Sequence, residues 1–184
     1  VHIPEAMTIP EGAPQPKFET TFILAKDGVQ KEFTIDNYPD STWTFVDSKT
    51  VETEKGYEPP IHDFAICTME DGEDITLDVL NRPGYTFLLI APHLRKADDS
   101  MLDLINLIYE YAEEQRVPFY CLTASGEEEV ARWKENTGAE YLFCQTDETT
   151  LKTIIRSNPG LMLLKNGVVY RKWRCNNLPA EEQL

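Results

Sequence analysis

A chain of 184 residues, 41% hydrophobic and 27% charged, has the size and composition of a globular domain with one sizeable core and a small appended element. Its 17 Lys and Arg stand against 32 Asp and Glu, and the net charge of −15 repels phosphate backbones and anionic headgroups, which argues against nucleic-acid binding. No apolar run approaches the length of a membrane span, so direct membrane insertion by this stretch of chain is not expected.

The chain opens at Val1 and meets Pro4, Pro10, Pro14 and Pro16 with no hydrophobic period between them. Residues 1–17 therefore read as a semi-rigid linker following a removed N-terminal neighbour, with an incidental tail as the other reading. Residues 18–25 and 29–35 flank Lys26-Asp27-Gly28, a hairpin signal, and residues 42–46 make a third short strand carrying Trp43 and Phe45. This β extension, residues 18–60, is too thin to stand alone and is expected to pack on the main domain, residues 61–184.

From His62 the pattern changes. Residues 62–68 read as a strand, followed by an acidic turn around Gly72 and a return over residues 75–80 toward Pro83-Gly84. Residues 85–91 form a nearly continuous apolar run, the mark of a central parallel strand. A long helix ending near Gln115 follows, with Met101, Ile105, Ile108 and Ala112 on one stripe. Asp98, Asp99 and Asp103 are placed in its first turn, where they favour the positive end of the helix dipole. Residues 117–123 make another buried strand. Ser125 and Glu128 fit a capping box opening a helix that stops at Gly138. Residues 141–144 make a short strand, and Asp147 caps a helix through Leu151, Ile154 and Ile155 that ends before Asn158-Pro159. Residues 160–165 and 168–173 flank Asn166-Gly167, the strongest short-range hairpin signal there is. Residues 179–184 begin a final helix or fray. From Tyr85 the order is β-α-β-α-β-α-β-β, which asks for a mixed sheet covered on both faces, an α/β fold.

The four cysteines, Cys67, Cys121, Cys144 and Cys175, match no metal or redox spacing. Cys121 and Cys144 fall in buried strands as small hydrophobes; for Cys67 and Cys175 the sequence decides nothing. No metal or cofactor is expected. His2, His62 and His93 lack zinc spacing, the acidic turn is too short for a calcium loop, and Gly126 lacks the companion glycines of a phosphate loop.

The element order, with proline just before the final hairpin, resembles the thioredoxin superfamily. The opening Asp63-Phe64-Ala65-Ile66, Gly72 and Ile75-Thr76-Leu77 resembles its peroxiredoxin and extracytoplasmic thioredoxin-like branches. The resemblance runs from His62 to Trp173 and implies a thioredoxin-like three-layer fold. Residues 57–64 and 151–160 are also similar to the soluble C-terminal region of DoxX-like membrane proteins of the Bacteroides group. That similarity implies an extracytoplasmic, periplasmic domain tethered to a membrane.

In the superfamily a thiolate sits where the first central strand meets the long helix, its pKa lowered by the helix N-terminus. Here Arg95-Lys96-Ala97-Asp98 occupy the place of the Cys-x-x-Cys motif, and no cysteine lies between Cys67 and Cys121. Dithiol exchange and thiol peroxidation are both left without their nucleophile. Pro159 aligns with the superfamily's cis-proline; the plainer reading, a proline that only shapes the turn, is taken here because most X-Pro bonds are trans. His93 is read as a solvated loop residue. The fold would bring His93, Arg95, Lys96 and Asp98 toward Arg156, Asn158 and Pro159, a candidate binding surface. Its three cations are expected either to steer an anionic partner or to pair with Asp98 and Asp99. The favoured function is a non-redox binding or scaffold domain for a protein partner or a membrane-embedded neighbour domain. The alternative is a thiol-based redox protein that uses Cys67 or Cys175.

Overall fold

The computed structural model describes residues 2–180. In chain order the elements are α1 (Ile3–Met7), β1 (Lys17–Lys26), β2 (Val29–Phe33), β3 (Thr44–Glu54), β4 (Cys67–Thr68), α2 (Thr76–Leu80) and β5 (Tyr85–Ile90). They continue through α3 (Leu102–Glu114), β6 (Phe119–Thr123), α4 (Glu127–Thr137), β7 (Leu142–Gln145), α5 (Glu148–Ile154), β8 (Gly160–Lys165) and β9 (Val168–Arg174). The final helix expected within residues 179–184 falls mostly outside the described residues. Two compact units result. One takes the residues up to Thr8 and those from Pro60 onward; the other is Ile9–Pro59.

The smaller unit is an antiparallel sheet in the order β2-β1-β3. Its third strand covers 11 residues, well past the 42–46 expected, because it pairs along β1 from Lys17↔Glu54 to Ala25↔Thr44. Every residue of β3 is exposed, so backbone pairing rather than a hydrophobic period carries the strand. β2 stops at Phe33, short of the expected Ile35. The chain turns there through Ile35–Asn37, where the Thr34 N–H donates to Asn37 Oδ1 at 2.6 Å. Edge-on ring contacts of Phe22 with Tyr38 and Phe33 with Trp43 hold this corner.

The larger unit is built on a six-stranded sheet, β4-β7-β6-β5-β8-β9, in which β5–β6 and β6–β7 are parallel and the other pairs antiparallel. Alternation along β5 sorts the core into two layers. Phe87, Leu89 and Ala91 face Ile105 and Ile108 of α3 and Val130 and Trp133 of α4. Leu88 and Ile90 face Val79 and Leu80 of α2, Leu151 of α5 and Ile3 of α1. The result is helix layer, mixed sheet, helix layer: the thioredoxin-like fold expected from the element order.

Three local expectations change. The opening of the expected linker is α1, anchored because Ile3 fills a place in the second core layer, its N–H donates to Gly167 O at 3.0 Å, and the Ile61 N–H donates to Ala6 O at 3.1 Å. The strand expected over residues 62–68 shrinks to Cys67–Thr68. Phe64 and Ile66 are buried, yet the Ile66 N–H goes to Thr76 Oγ1 at 2.8 Å and its carbonyl accepts from Ile75 at 2.9 Å, so the ladder is replaced by a local knot. The return over residues 75–80 is α2. In addition, Asp98 and Asp99 precede α3 rather than filling its first turn, which holds Asp103 alone.

The β8–β9 hairpin turns at Asn166 (φ 50°) and Gly167 (φ 72°), the left-handed pair such two-residue turns require. A Cβ at Gly167 would stand 2.5 Å from Leu80 O, whereas at Gly138, the left-handed end of α4, it would meet nothing within 4 Å. Gly138→Ala should therefore cost only the left-handed penalty, about 1–2 kcal/mol. Gly167→Ala should cost clearly more because backbone must also move. Urea unfolding of both variants checks the ranking.

Candidate functional site

β5 and β8 lie side by side with Ile90 opposite Gly160, so the chain leaving β5 and the chain entering β8 meet at one end of the sheet. The leaving segment is 91–98. The Ala91 N–H donates to Leu122 O at 2.9 Å and the Ala124 N–H to Pro92 O at 3.2 Å, which extends the β5–β6 pairing past its end. The segment then tightens into a 3-10 turn at Leu94–Lys96. Asn158 fastens the two segments from both sides: its side-chain Nδ2 donates to His93 O at 2.9 Å, and its backbone carbonyl accepts from the Asp98 N–H at 2.8 Å. The Asn158–Pro159 bond is cis, against the plainer sequence reading.

Ser125 does not form the expected capping box. Gly126 is the N-cap of α4, with no side-chain cap, and Ser125, 4% exposed, instead accepts the Leu94 N–H on its Oγ at 3.1 Å. The serine thus serves the loop rather than its own helix. Three glutamates, Glu127 to Glu129, complement the helix N-terminus in its place. Asp147 caps α5 as expected, accepting from the Thr150 N–H at 2.9 Å.

The loop side chains diverge. His93 is half-buried, and its Nε2 meets Glu148 Oε1 at 2.9 Å, so it is not the solvated residue expected. Glu148 also binds Lys152; the Lys152 ammonium first, and then the His93 imidazole, hold its carboxyl below the ordinary range. Leu94 is buried while Arg95 and Lys96 are exposed. Arg95 lines a depression of about 270 Å³ against α4, with Leu94, Asp99, Arg132 and Trp133. Asp98, Arg156 and Asn158 line a second, open groove of about 400 Å³, together with Arg174, Cys175 and Asn176. Lys96 and Pro159 line neither. The expected cluster of three cations is therefore divided: Arg95 on one side of the loop, Arg156 on the other. Their expected pairing with Asp98 and Asp99 does not occur. Among the described residues no ion pair involves Arg95, Lys96, Arg156 or Arg174. The Asp98 carboxylate turns instead to the Ser100 hydroxyl and to the Ser100 N–H, at 3.0 Å, which lower its pKa.

All four cysteines are free. Cys121 is fully buried, and burial first, then proximity to Cys144, pushes its thiol far up. Cys144 is raised to about 11, mainly by burial. Both are core residues, as expected. Cys175 is the thiol that touches the loop: its Sγ lies 3.9 Å from Asp98 O, and its N–H donates to Ser157 Oγ at 2.8 Å. Burial, and then Asp98, raise its pKa. Cys67 is half-buried.

Comparison with known proteins finds similarities and names no activity for this chain. Residues 18–55, the β1–β3 unit, match the family described as a domain of unknown function, DUF8463. No curated protein matches. Among solved structures, a thioredoxin-like protein from Aeropyrum pernix is similar at 14% identity with a TM-score of 0.48, over 61% of this chain and 81% of that one. StoA from Bacillus subtilis is similar at 15% identity and 0.48, over 65% and 92%. A conserved protein of unknown function from Bacteroides fragilis, BF1870, is similar at 18% and 0.43, over 65% and 89%. These are similarities of fold.

Two measurements check the loop. Ser125→Ala strands the buried Leu94 N–H and should destabilise the protein by about 1–3 kcal/mol in urea unfolding. A carboxyl whose pKa falls on folding adds stability above its unfolded pKa, near 4.5 for Glu148, and loses it as the pH drops through the folded value. Glu148→Gln should therefore lower the Tm at neutral pH, and its deficit against wild type should close as the pH falls to about 3.

Proposed function

We propose that this chain is a thioredoxin-like binding or scaffold domain that works without dithiol chemistry. We further propose that it is the extracytoplasmic, periplasmic part of a membrane-tethered protein. One observation carries the first statement. Residues 91–98 hold no cysteine, and the thiol beside them, Cys175, is 5% exposed with its pKa raised rather than lowered. A nucleophilic cysteine needs exposure and a stabilised thiolate, and this one has neither. What remains at the end of the sheet is a shaped, polar recognition surface, at the place where α/β folds commonly bind ligands. The second statement is supported by the similarity of residues 57–64 and 151–160 to DoxX-like proteins. It makes the natural partner a protein or a membrane-embedded neighbour domain. No helix among the described residues is long and apolar enough to cross a membrane.

A second reading keeps thiol chemistry through Cys175, which the fold places against the loop, or through Cys67. An insulin-reduction assay separates the two. The binding-domain reading expects no turnover above that of a variant with all four cysteines replaced by serine; turnover abolished by Cys175→Ser or Cys67→Ser alone would put the redox reading first. In a native thiol titration Cys67 should react first, and Cys121 and Cys144 only on unfolding. Fractionation of cells expressing the full-length gene product tests the location, and recovery in the cytosol would remove the tether from the proposal.

A further inference from the structure

The groove beside Asn158 gathers two guanidinium groups that have no carboxylate partner among the described residues. β8 and β9 pair Gly160 with Arg174, so the chain leaving β9 runs back along the turn that leads into Pro159. Arg156 precedes that turn and Arg174 is the last residue of the hairpin; both are exposed and both line the groove. The turn between them is fixed. Ser157 Oγ accepts the Cys175 N–H at 2.8 Å and donates to Pro159 O, while Asn158 is fastened to His93 and Asp98. The donors of this turn, the Ser157 hydroxyl and the Asn158 Nδ2, are therefore already committed, and the arginines are not. Among the described residues only Lys17, Arg132 and Lys152 of the Lys and Arg side chains form ion pairs, so an unpaired cation is ordinary here; what sets Arg156 and Arg174 apart is that the two share one concave surface. Asp98, the acid in the groove, accepts hydrogen bonds from Ser100 that keep it ionised, so it is turned away from the arginines but still contributes one negative charge.

We propose that Arg156 and Arg174 form an oxyanion clasp, which receives a single carboxylate or phosphate group presented by the partner. The proposal rests on the binding-domain reading and specifies its ligand. Guanidinium groups bind such anions through paired, directional hydrogen bonds, the contact that Lys or a neutral donor does not reproduce. The net charge limits the ligand to a small anionic group. A polyanion or an anionic surface meets the whole negative field, whereas one oxyanion entering the groove meets two local cations against the single carboxylate of Asp98. Arg95, set against α4 on the far side of the loop, takes no part.

The test is an NMR titration of the intact chain with three probes: inorganic phosphate, succinate, and neutral succinamide. Phosphate, succinate or both should give saturable shifts at the Ser157, Cys175 and Asn176 amides, and the arm that responds identifies the anion. Succinamide should give none. Arg156→Gln and Arg174→Gln should each weaken the response about tenfold, with no comparable loss in Arg95→Gln. Variants with an unchanged Tm exclude a folding artefact, and Arg156→Lys, which keeps the charge but loses the paired geometry, should remain weakened. An unchanged response in the Arg156→Gln/Arg174→Gln double variant, an equal response to succinamide, or no response to either anion overturns the clasp. Such a failure leaves the binding-domain reading to the insulin assay, which uses neither arginine.

Discussion

β5 is buried on both faces, and that requirement organises the larger unit. A strand whose alternate residues all need apolar cover can be stable only between two helical layers. α3 and α4 cover Phe87 and Leu89, while α1, α2 and α5 cover Leu88 and Ile90. With both faces closed, chemistry is left to the ends of the strands. β5 and β8 run antiparallel, so the exit of one and the entrance of the other coincide, and the candidate site occupies that coincidence. Asn158 then converts proximity into a fixed arrangement with two hydrogen bonds.

The same burial explains the state of the thiols. Cys121 and Cys144 sit in the sheet where a charged sulfur would lose its hydration, so their protons are held tightly. Cys175 reaches the candidate-site end of the sheet but arrives under cover, with the Asp98 carboxylate nearby, and both effects oppose ionisation. The loop ahead of the long helix, residues 91–98, holds no cysteine and carries Arg95, Lys96 and Asp98 instead.

The strands and helices with a strong period were legible: β5 by its apolar run, α3 by its stripe, β8–β9 by Asn166-Gly167. β3 was half-legible, since residues 47–54 have no apolar alternation and owe their strand to β1. Ser125 was misread because the serine that could cap a helix found a stronger claim in the Leu94 N–H, a tertiary partner 31 residues away. Of the candidate site, the meeting of the loops was legible and its division was not. The sequence does not reveal that the 3-10 turn would send Arg95 toward α4. Arg174 was missed for a geometric reason. Counting back from a two-residue turn pairs Gly160 with Trp173. The irregularity between Leu163 and Leu164 inserts one residue and brings Arg174 opposite instead.

The small docking of α1 bears on how the chain is assembled as a modular object. The polypeptide leaves the larger unit after Thr8 and returns at Pro60, and the two crossing points are neighbours, since Ile61 is hydrogen-bonded to Ala6. Neither core layer draws a residue from 9–59. The β1–β3 unit therefore has the topology of a guest inserted into a host, and the match over residues 18–55 falls entirely inside the guest. A host interrupted at neighbouring points can be closed again by a short bridge from Thr8 to Pro60, so the two pieces can be exchanged, lost or acquired as separate genetic units.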